Sequence, residues 1–254
     1  MAVSGMSGFR ERLKAGELLA ATWIKTPHPH VVEVLALSPL DALVLDAEHA
    51  PFGRSALDLC TLAARAAGMP VLVRPASADP AHLLQALDGG ADGVVIPHIR
   101  SAAEAEAAVR ACHYRPGGRG YAGSTRAAAY TTLGMTAHRA AAGNVSVIAQ
   151  IEDAEALDEV DAIARTSGTD ALFIGRADLT ISLAAETPDD PVVVAAVERI
   201  CAASKEAGMP VGMFLGRMAD ISLWRERGAS LFILQSDQEF LLAGANALSK
   251  GIKG

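Results

Sequence analysis

The chain of 254 residues has a formal net charge of −7 and no run of Lys or Arg longer than a pair, which argues against a nucleic-acid partner. Its residues are 51% hydrophobic but only 4% aromatic, so we expect one large aliphatic core. No apolar run reaches the roughly 18 residues of a membrane span, and Met1 to Gly8 lacks the layout of a secretory signal.

The apolar pattern predicts eight short strands along the chain. Each is a run of aliphatic residues bounded by polar residues, glycine or proline, as expected for strands buried on both faces. The predicted strands cover residues 18–24, 42–46, 70–75, 93–98, 145–152, 171–175, 211–215 and 231–234.

Helices are predicted between these strands. They cover residues 9–15, 31–37, 54–67, 81–87, 101–111, 135–142, 154–164, 191–207, 218–227 and 240–248. Ser101 begins one helix with Glu104 three residues later, which is a capping box. The cysteines, Cys60, Cys112 and Cys201, lie inside predicted helices without paired spacing, so we expect reduced, packed thiols in a cytoplasmic protein.

The alternation of strands and helices predicts a single α/β domain over residues 1–254, a (β/α)8 TIM barrel. An open doubly wound sheet is the competing fold. It normally has fewer strands and carries a glycine-rich phosphate loop after its first strand, which this sequence lacks. A glycine-rich segment at residues 114–130 interrupts the rhythm, and a loop of this length in a compact domain is typically functional.

Polar residues gather where the second predicted strand ends. Asp46, Glu48 and His49 directly follow an apolar run, and Pro51 then stops the segment. Carboxylate and imidazole groups are common metal ligands, so the first interpretation is a metal cluster. The alternative is a strand whose last residues simply reach solvent.

The same feature recurs at other predicted strands. Their C-terminal ends carry Trp23, Lys25, Asp46, Glu48, His49, Arg74, His98, Gln150, Glu152, Arg176, Asp178, Gln235 and Ser236. A barrel brings all its strand C-termini to one face, where barrel enzymes place their active sites. We therefore predict an active site on this face.

The chemistry of these residues favours metal-assisted enolate formation. Glu152 and Asp178 offer two hard oxygen ligands from neighbouring strands, which suit Mg²⁺ or Mn²⁺. Arg74 can hold a carboxylate or a developing oxyanion, and Asp46 can orient His49 as an acid–base pair. Such a site polarises a 2-oxo acid, moves a proton, and makes or breaks a carbon–carbon bond.

This assignment changes the interpretation of two neighbouring residues. Glu48 becomes a supporting or interface carboxylate rather than a metal ligand. Lys25 is the one lysine at a strand end, and a Schiff base on it is an alternative with little further support in the sequence.

Four segments resemble the HpcH/HpaI aldolase/citrate lyase family. They lie at residues 45–51 (LDAEHAP), 73–75 (VRP), 150–152 (QIE) and 174–179 (IGRADL), in order and at fitting spacing. The resemblance implies a phosphoenolpyruvate/pyruvate-type barrel with a divalent metal, Mg²⁺, Mn²⁺ or Co²⁺. It implies class II aldolase activity, in which a pyruvate enolate adds reversibly to an aldehyde. It also implies a homo-hexamer, a trimer of dimers, whose neighbours exchange the last helix.

The resemblance also implies roles for individual residues. Glu152 and Asp178 match the metal ligands, and Arg74 matches the arginine that stabilises the enolate oxygen. His49 with Asp46 matches the pair that moves protons. The predicted substrate-binding residues are Trp23, Arg126, Gln150, Gly175, Arg176 and Ala177.

Two features depart from the family pattern. Arg176 stands where the family carries proline, and the loop at residues 119–126 is rich in cationic and hydroxyl groups. One interpretation is that Arg176 points to bulk water or to a subunit interface. The other is that Arg176 and Arg126 hold an additional carboxylate, which favours an oxaloacetate-like or citrate-like substrate.

Three further functions stay open from the sequence. A citrate-forming or citrate-cleaving enzyme follows from the second interpretation of Arg176. An acyl-CoA lyase of the same superfamily needs a grip on the coenzyme, and we find no clear basic or adenine-binding stretch. A non-catalytic barrel that binds a small acid would retain its ligand without Glu152.

Overall fold

The computed structural model describes residues 8–253, in which eight parallel strands form one closed barrel in chain order. This confirms the predicted (β/α)8 barrel. The strands are β1 (Leu19–Ile24), β2 (Ala42–Asp46), β3 (Val71–Arg74), β4 (Gly93–Ile96), β5 (Ser146–Ile151), β6 (Ala171–Ile174), β7 (Val211–Leu215) and β8 (Ala229–Ser236). The predicted lack of a secretory signal concerns residues that lie, except for Gly8, outside the described range.

Helices connect the strands around the outside of the barrel. They are α1 (Phe9–Lys14), α2 (Pro29–Leu35), α3 (Arg54–Ala67), α4 (Pro80–Asp88), α5 (Ala102–Cys112), α6 (Met135–Ala141), α7 (Ala156–Ala164), α8 (Arg176–Ser182), α9 (Pro191–Ala207), α10 (Ile221–Glu226) and α11 (Asp237–Lys253). Short 3-10 turns cover Arg126–Ala128, Ala142–Asn144 and Met218–Asp220. Among the described helices, none has the length and apolar character needed to cross a membrane.

The largest differences from the predicted elements lie in the last third of the chain. Helix α8 is absent from the prediction because it has only seven residues and no side-chain cap at Gly175. Strand β8 continues through two polar residues, since Ser236 still pairs with Trp23 of β1 beyond an irregularity in the register. The C-terminal helix begins directly after this strand and is longer than predicted.

Two apolar layers hold the barrel together. Inside the ring of strands lies a cluster that includes Trp23, Leu72, Ile148 and Phe173, while a larger cluster fills the space between strands and helices. The larger cluster contains Cys60, Cys112 and Cys201, which are free and buried as predicted. This rigid ring fixes the positions of the residues that follow each strand.

Three aspartates at the N-terminal face of the barrel each accept a hydrogen bond from the backbone of a neighbouring strand. Asp41, Asp92 and Asp170 each directly precede an even-numbered strand. Their carboxylates accept from the backbone N–H of Ala20, Val71 and Val147, at 2.8, 2.8 and 3.0 Å. Two of them also form ion pairs, Asp41 with Arg12 and Asp170 with Arg10, both at 2.7 Å. Each aspartate thus ties one strand to the next.

Candidate active site

A cavity of about 320 Å³ lies at the C-terminal ends of the strands. Of the predicted site residues, it is lined by Trp23, His49, Arg74, Gln150, Gly175, Arg176, Ala177 and Asp178. It is also lined by Lys25, Phe214, Gln235 and Glu239. The barrel therefore brings residues from at least six strand ends into one pocket, as the strand-end pattern predicts.

Asp46 forms a bidentate ion pair with Arg74, which lines this pocket. They are register partners on β2 and β3, and Arg74 donates to both carboxylate oxygens, at 3.0 and 2.8 Å. The Lys25 ammonium lies 2.9 Å from the same carboxylate. Burial acts to raise the pKa of Asp46, but Arg74 and Lys25 outweigh burial and lower this pKa to about 2. Asp46 is therefore a permanent anion that positions two cations.

The predicted pairing of Asp46 with the His49 ring is not what the structure contains. Asp46 Oδ1 accepts from the backbone N–H of His49 at 3.2 Å, whereas the ring contacts Glu48, with Nε2 3.6 Å from Oε2. The physical reason is that Arg74 and Lys25 already take up the Asp46 oxygens. Burial and the charge of Arg74 lower the pKa of His49, which favours a neutral imidazole.

Trp23 forms the floor beneath Arg74. The guanidinium carbon of Arg74 lies 4.2 Å from the centre of the Trp23 ring, and the rings of Trp23 and Phe173 meet edge-on with their centres 5.9 Å apart. A guanidinium over an indole face gains cation–π attraction in addition to its ion pair. Arg74 is thus fixed from two directions.

Glu152 is almost completely buried at the end of β5. Its Oε1 accepts from the backbone N–H of His98 at 2.9 Å, and its Oε2 accepts from the Gln150 side chain. Burial raises the pKa of Glu152, and the nearby Asp178 acts in the same direction. The two predicted metal ligands are therefore close enough to repel each other electrostatically.

The lack of a side chain at Gly175 leaves room for the side chains of Glu152 and Gln150. A Cβ atom at this position would lie 2.5 Å from Glu152 Oε2 and 3.0 Å from Gln150 Nε2. Real Cβ contacts are essentially never that short, so a side chain here would displace the carboxylate. The glycine is required by close approach and not by its φ of −85°.

Glu152 also belongs to a second group of possible metal ligands, whose other members are Glu48 and His98. Each offers a ligand atom within 4.8 Å of the others. Glu48 Oε2 is buried without a hydrogen-bond partner, and burial raises the pKa of Glu48 to about 7 despite the attraction of Arg74. A buried carboxylate oxygen without a donor is costly unless a cation meets it. This donor set fits a divalent metal ion.

His98 is the residue whose role the sequence did not reveal. Its position at the end of the fourth predicted strand was the available signal, but nothing in the sequence joined it to a carboxylate. The structure holds it at a φ of +56°, and its Nδ1 lies 3.0 Å from Asp153 Oδ2. Non-glycine residues seldom adopt such a φ, and those that do are enriched at functional sites.

The structure does not bring Arg176 and Arg126 together, because they line different cavities. The buried Arg176 guanidinium donates to the Pro188 carbonyl at 2.7 Å and lies over Trp224, so it points neither to bulk water nor freely into the pocket. Arg126 lines a different cavity of about 550 Å³ against α3 and α4, where it donates to Gly89. That cavity is larger, but it lacks the carboxylate–imidazole group.

Comparison with known proteins agrees with the fold. Residues 19–242 match the family model described as HpcH/HpaI aldolase/citrate lyase. A hydroxypyruvate/pyruvate aldolase of Pseudomonas aeruginosa is 33% identical over 250 residues, which cover 97% of this chain and 92% of that protein.

Solved structures give the same result. A family protein of Burkholderia cenocepacia J2315 superposes with a TM-score of 0.92 at 33% identity, covering 98% of this chain and all of that one. The citrate synthase SbnG superposes at 0.85 with 28% identity, covering 97% and 98%. The chain therefore belongs to the HpcH/HpaI aldolase/citrate lyase family and is a carbon–carbon lyase of the aldolase type.

Proposed function

We propose that the protein is a metal-dependent class II aldolase that forms or cleaves 4-hydroxy-2-oxo acids through the enolate of pyruvate or a related 2-oxo acid. The observation that carries this proposal is a group of acidic side chains beside two cations at the C-terminal ends of the strands. Asp178 and Glu48 lie near the buried Glu152, while Arg74 and Lys25 share the carboxylate of Asp46.

In this proposal Glu152 and Asp178 hold the divalent cation, Mg²⁺ or Mn²⁺, with Co²⁺ as a further candidate. Support comes from Glu152, whose pKa is raised by burial and by the nearby Asp178 and would be lowered by a bound cation. When bound, the cation supplies Lewis-acid polarisation of the 2-oxo group.

The remaining pocket residues bind and orient the 2-oxo acid. Arg74 faces the developing enolate oxygen, because its guanidinium is held by Asp46 and Trp23. Gln150 fixes Glu152, and the backbone at Gly175 and Ala177 meets the substrate carboxylate. An arginine held rigidly before the reaction loses no entropy during it, which is the source of its catalytic value.

His49 is the proposed group that moves protons. Its ring is half exposed in the pocket wall, and its lowered pKa favours the neutral form that accepts a proton near neutral pH. Asp46 acts on His49 through the backbone rather than the ring. We therefore assign Asp46 as the residue that positions His49, Lys25 and Arg74, and not as a proton carrier.

The protein is proposed to assemble as a homo-hexamer, a trimer of dimers, in the cytoplasm. Support comes from α11, on which Leu241, Leu242, Leu248 and Ile252 are all exposed. Exposed apolar patches of this kind mark association surfaces. The free, buried cysteines suit a reducing compartment. Light scattering after size-exclusion chromatography tests the assembly, which should have six times the chain mass of 26.2 kDa.

Assays of aldol cleavage and synthesis test the proposed activity. Purified protein is mixed with pyruvate and a panel of small aldehydes, with Mg²⁺ or Mn²⁺, after chelation, and after metal is restored. We expect condensation that disappears on chelation and returns with metal. Condensation that survives thorough chelation, or none with any aldehyde, would contradict the proposal.

A citrate-type reaction is the second candidate, and the similarity to SbnG favours including it. Arg176 donates to the Pro188 carbonyl and lines a different cavity from Arg126, so the pair of cations that this candidate needs is not assembled. Oxaloacetate with an acetyl donor is therefore added to the same panel, with no citrate expected.

A further inference from the structure

We propose that Lys25, Gln235 and Glu239 form the subsite of the acceptor aldehyde and select uncharged aldehydes that carry hydroxyl groups. The inference rests on the proposed function and adds the class of its second reactant. All three residues line the cavity at the C-terminal face. They come from the ends of β1 and β8 and the start of α11, whereas the residues assigned to the 2-oxo acid follow β3, β5 and β6.

The ends of β1 and β8 are tied together at this side of the pocket. Trp23 and Ser236 are register partners on the two strands. The buried Asp237 accepts from the backbone N–H of Lys25 at 2.6 Å and from that of Thr26 at 3.1 Å. The backbone that carries Lys25 is therefore fixed beside the end of β8.

The Lys25 ammonium has donors left for a ligand. It carries three N–H donors, and within residues 8–253 its one ion-pair partner is Asp46, at 2.9 Å. The side chain is 28% exposed in the cavity wall, so its remaining donors can reach a molecule in the cavity. A hydroxyl oxygen accepts such a hydrogen bond.

Gln235 is a polar side chain held in the cavity wall by an unusual backbone conformation. Its φ is +54°, a left-handed value that costs glutamine free energy and glycine very little. Residues held in such conformations cluster where ligands bind. The Gln235 amide is exposed and has no hydrogen-bond partner in the part of the chain that the structure describes. An amide both donates and accepts, as a hydroxyl group does.

Glu239 adds a hydrogen-bond acceptor to these donors. The Ser236 hydroxyl donates to Glu239 Oε2 at 3.1 Å and accepts from the Glu239 backbone N–H at 3.3 Å, which holds the carboxylate near the strand end. Among the described residues, none donates to Oε1. This oxygen can therefore accept from a hydroxyl group of a bound molecule.

The balance of charge favours a neutral acceptor over an acidic one. Lys25 and Arg74 share the carboxylate of Asp46, and the negative charge of Glu239 offsets the positive charge left over. An acidic aldehyde would gain attraction from Lys25 but meet repulsion from Glu239 in the same cavity. A hydrocarbon aldehyde would leave the donors and the acceptor without partners. A hydroxylated aldehyde satisfies both.

Steady-state kinetics with pyruvate and matched aldehydes test the subsite. Glyceraldehyde and propanal share a three-carbon chain with and without hydroxyl groups, and succinic semialdehyde carries a carboxylate. In the wild type we expect kcat/KM for glyceraldehyde to exceed that for either of the others by about tenfold or more. A wild type that prefers propanal or succinic semialdehyde would overturn the inference.

Single variants show whether these residues cause the preference. Gln235→Gly keeps the backbone conformation without strain and should lower the glyceraldehyde-to-propanal ratio of kcat/KM about fivefold. Glu239→Ala removes a charged acceptor and should lower this ratio about tenfold, and Lys25→Met should act in the same direction. Gln238→Ala, an exposed neighbour outside the cavity lining, is the matched control and should keep the ratio. A ratio that Gln235→Gly and Glu239→Ala leave unchanged would overturn the inference.

Exchange of the pyruvate methyl protons in D₂O separates this inference from the proposed function, because enolate formation needs no acceptor. A wild type that exchanges these protons, with variants that keep its acceptor ratio, would refute only the inference. A wild type that shows neither metal-dependent exchange nor condensation would refute the proposed function and the inference with it.

Discussion

The two faces of the barrel use carboxylate side chains for different purposes. At the N-terminal face, Asp41 and Asp170 each accept a backbone N–H and form an ion pair with an arginine. At the C-terminal face, one buried oxygen of Glu48 has no hydrogen-bond donor, and Glu152 has a raised pKa. The ion pairs of Asp41 and Asp170 stabilise the fold, whereas the shortage of partners around Glu48 and Glu152 favours binding of a cation.

Asp46 shows that location alone does not decide the role. It lies on the functional face, yet it has as many partners as the N-terminal aspartates, and its pKa is about 2. Its charge is balanced by Arg74 and Lys25, so it positions these two cations without exchanging protons. Substitutions at the two faces should therefore separate activity from stability.

Glu152→Gln should have the largest effect. The amide keeps the shape of the side chain but removes the charge that holds a cation, so aldolase activity should fall on the order of 10³-fold. Stability at pH 7 should not fall, because a buried carboxylate with a raised pKa is itself unfavourable when ionised. Steady-state kinetics and urea denaturation measure the two effects, with the surface variant Glu106→Gln as control. A strongly destabilised variant would contradict the contrast between the faces.

Gly175→Ala should reduce activity by about 10²-fold, because a catalytic group displaced by roughly 1 Å costs that much. The new methyl group would meet Glu152 Oε2 at 2.5 Å. Gly53→Ala is the matched control, since its Cβ would meet nothing within 4 Å and its φ is −80°. Metal titration shows whether weaker metal binding accounts for the loss of activity. Equal activity and metal affinity in the two variants would show that position 175 does not need to be glycine.

Asp170→Ala should destabilise the protein by about 3 kcal/mol while activity per folded molecule stays within about twofold. It leaves Arg10 unpaired and the Val147 N–H without its acceptor. Asp161→Ala removes an exposed ion pair with Arg199 and should change stability little. Urea denaturation and kinetics test this, and a large loss of activity in folded Asp170→Ala would break the comparison.

Asp92→Asn should change how stability depends on pH. Burial raises the pKa of Asp92 to about 6 in the folded state, against 3.8 as its ordinary value. The folded state therefore holds the proton more tightly, so this residue's contribution is greatest below about pH 4 and declines as the pH rises to about 6. The decline amounts to up to about 3 kcal/mol. Urea denaturation from pH 4.5 to 7 should show it in the wild type and not in Asp92→Asn.

The sequence could predict the fold because each strand is a separate apolar run with polar residues at its end. The barrel then dictates that those ends meet, which locates Arg74, Gln150, Glu152 and Asp178 without further information. Partner choice could not be predicted, because it depends on contacts across strands. Asp46 selects Arg74 over the His49 ring only because the β2–β3 register places them side by side.

Loops and short helices limited the prediction in a different way. Arg126 follows a glycine-rich loop whose path no periodicity describes, and it ends against α4 rather than in the pocket. Arg176 begins a helix of seven residues that turns its guanidinium toward Pro188. His98 reaches its neighbours through a backbone conformation with a positive φ, and the sequence gives no sign of this conformation.

Proton exchange at the methyl group of pyruvate tests the central claim most directly. In D₂O, an enzyme that forms the enolate exchanges these protons, and NMR follows the loss of the methyl signal without any aldehyde present. We predict exchange with Mg²⁺ or Mn²⁺, none after chelation, and none in Glu152→Gln under either condition. Exchange that continues after chelation, or that Glu152→Gln retains at the wild-type rate, would contradict the account of the C-terminal face as a metal-dependent enolising site.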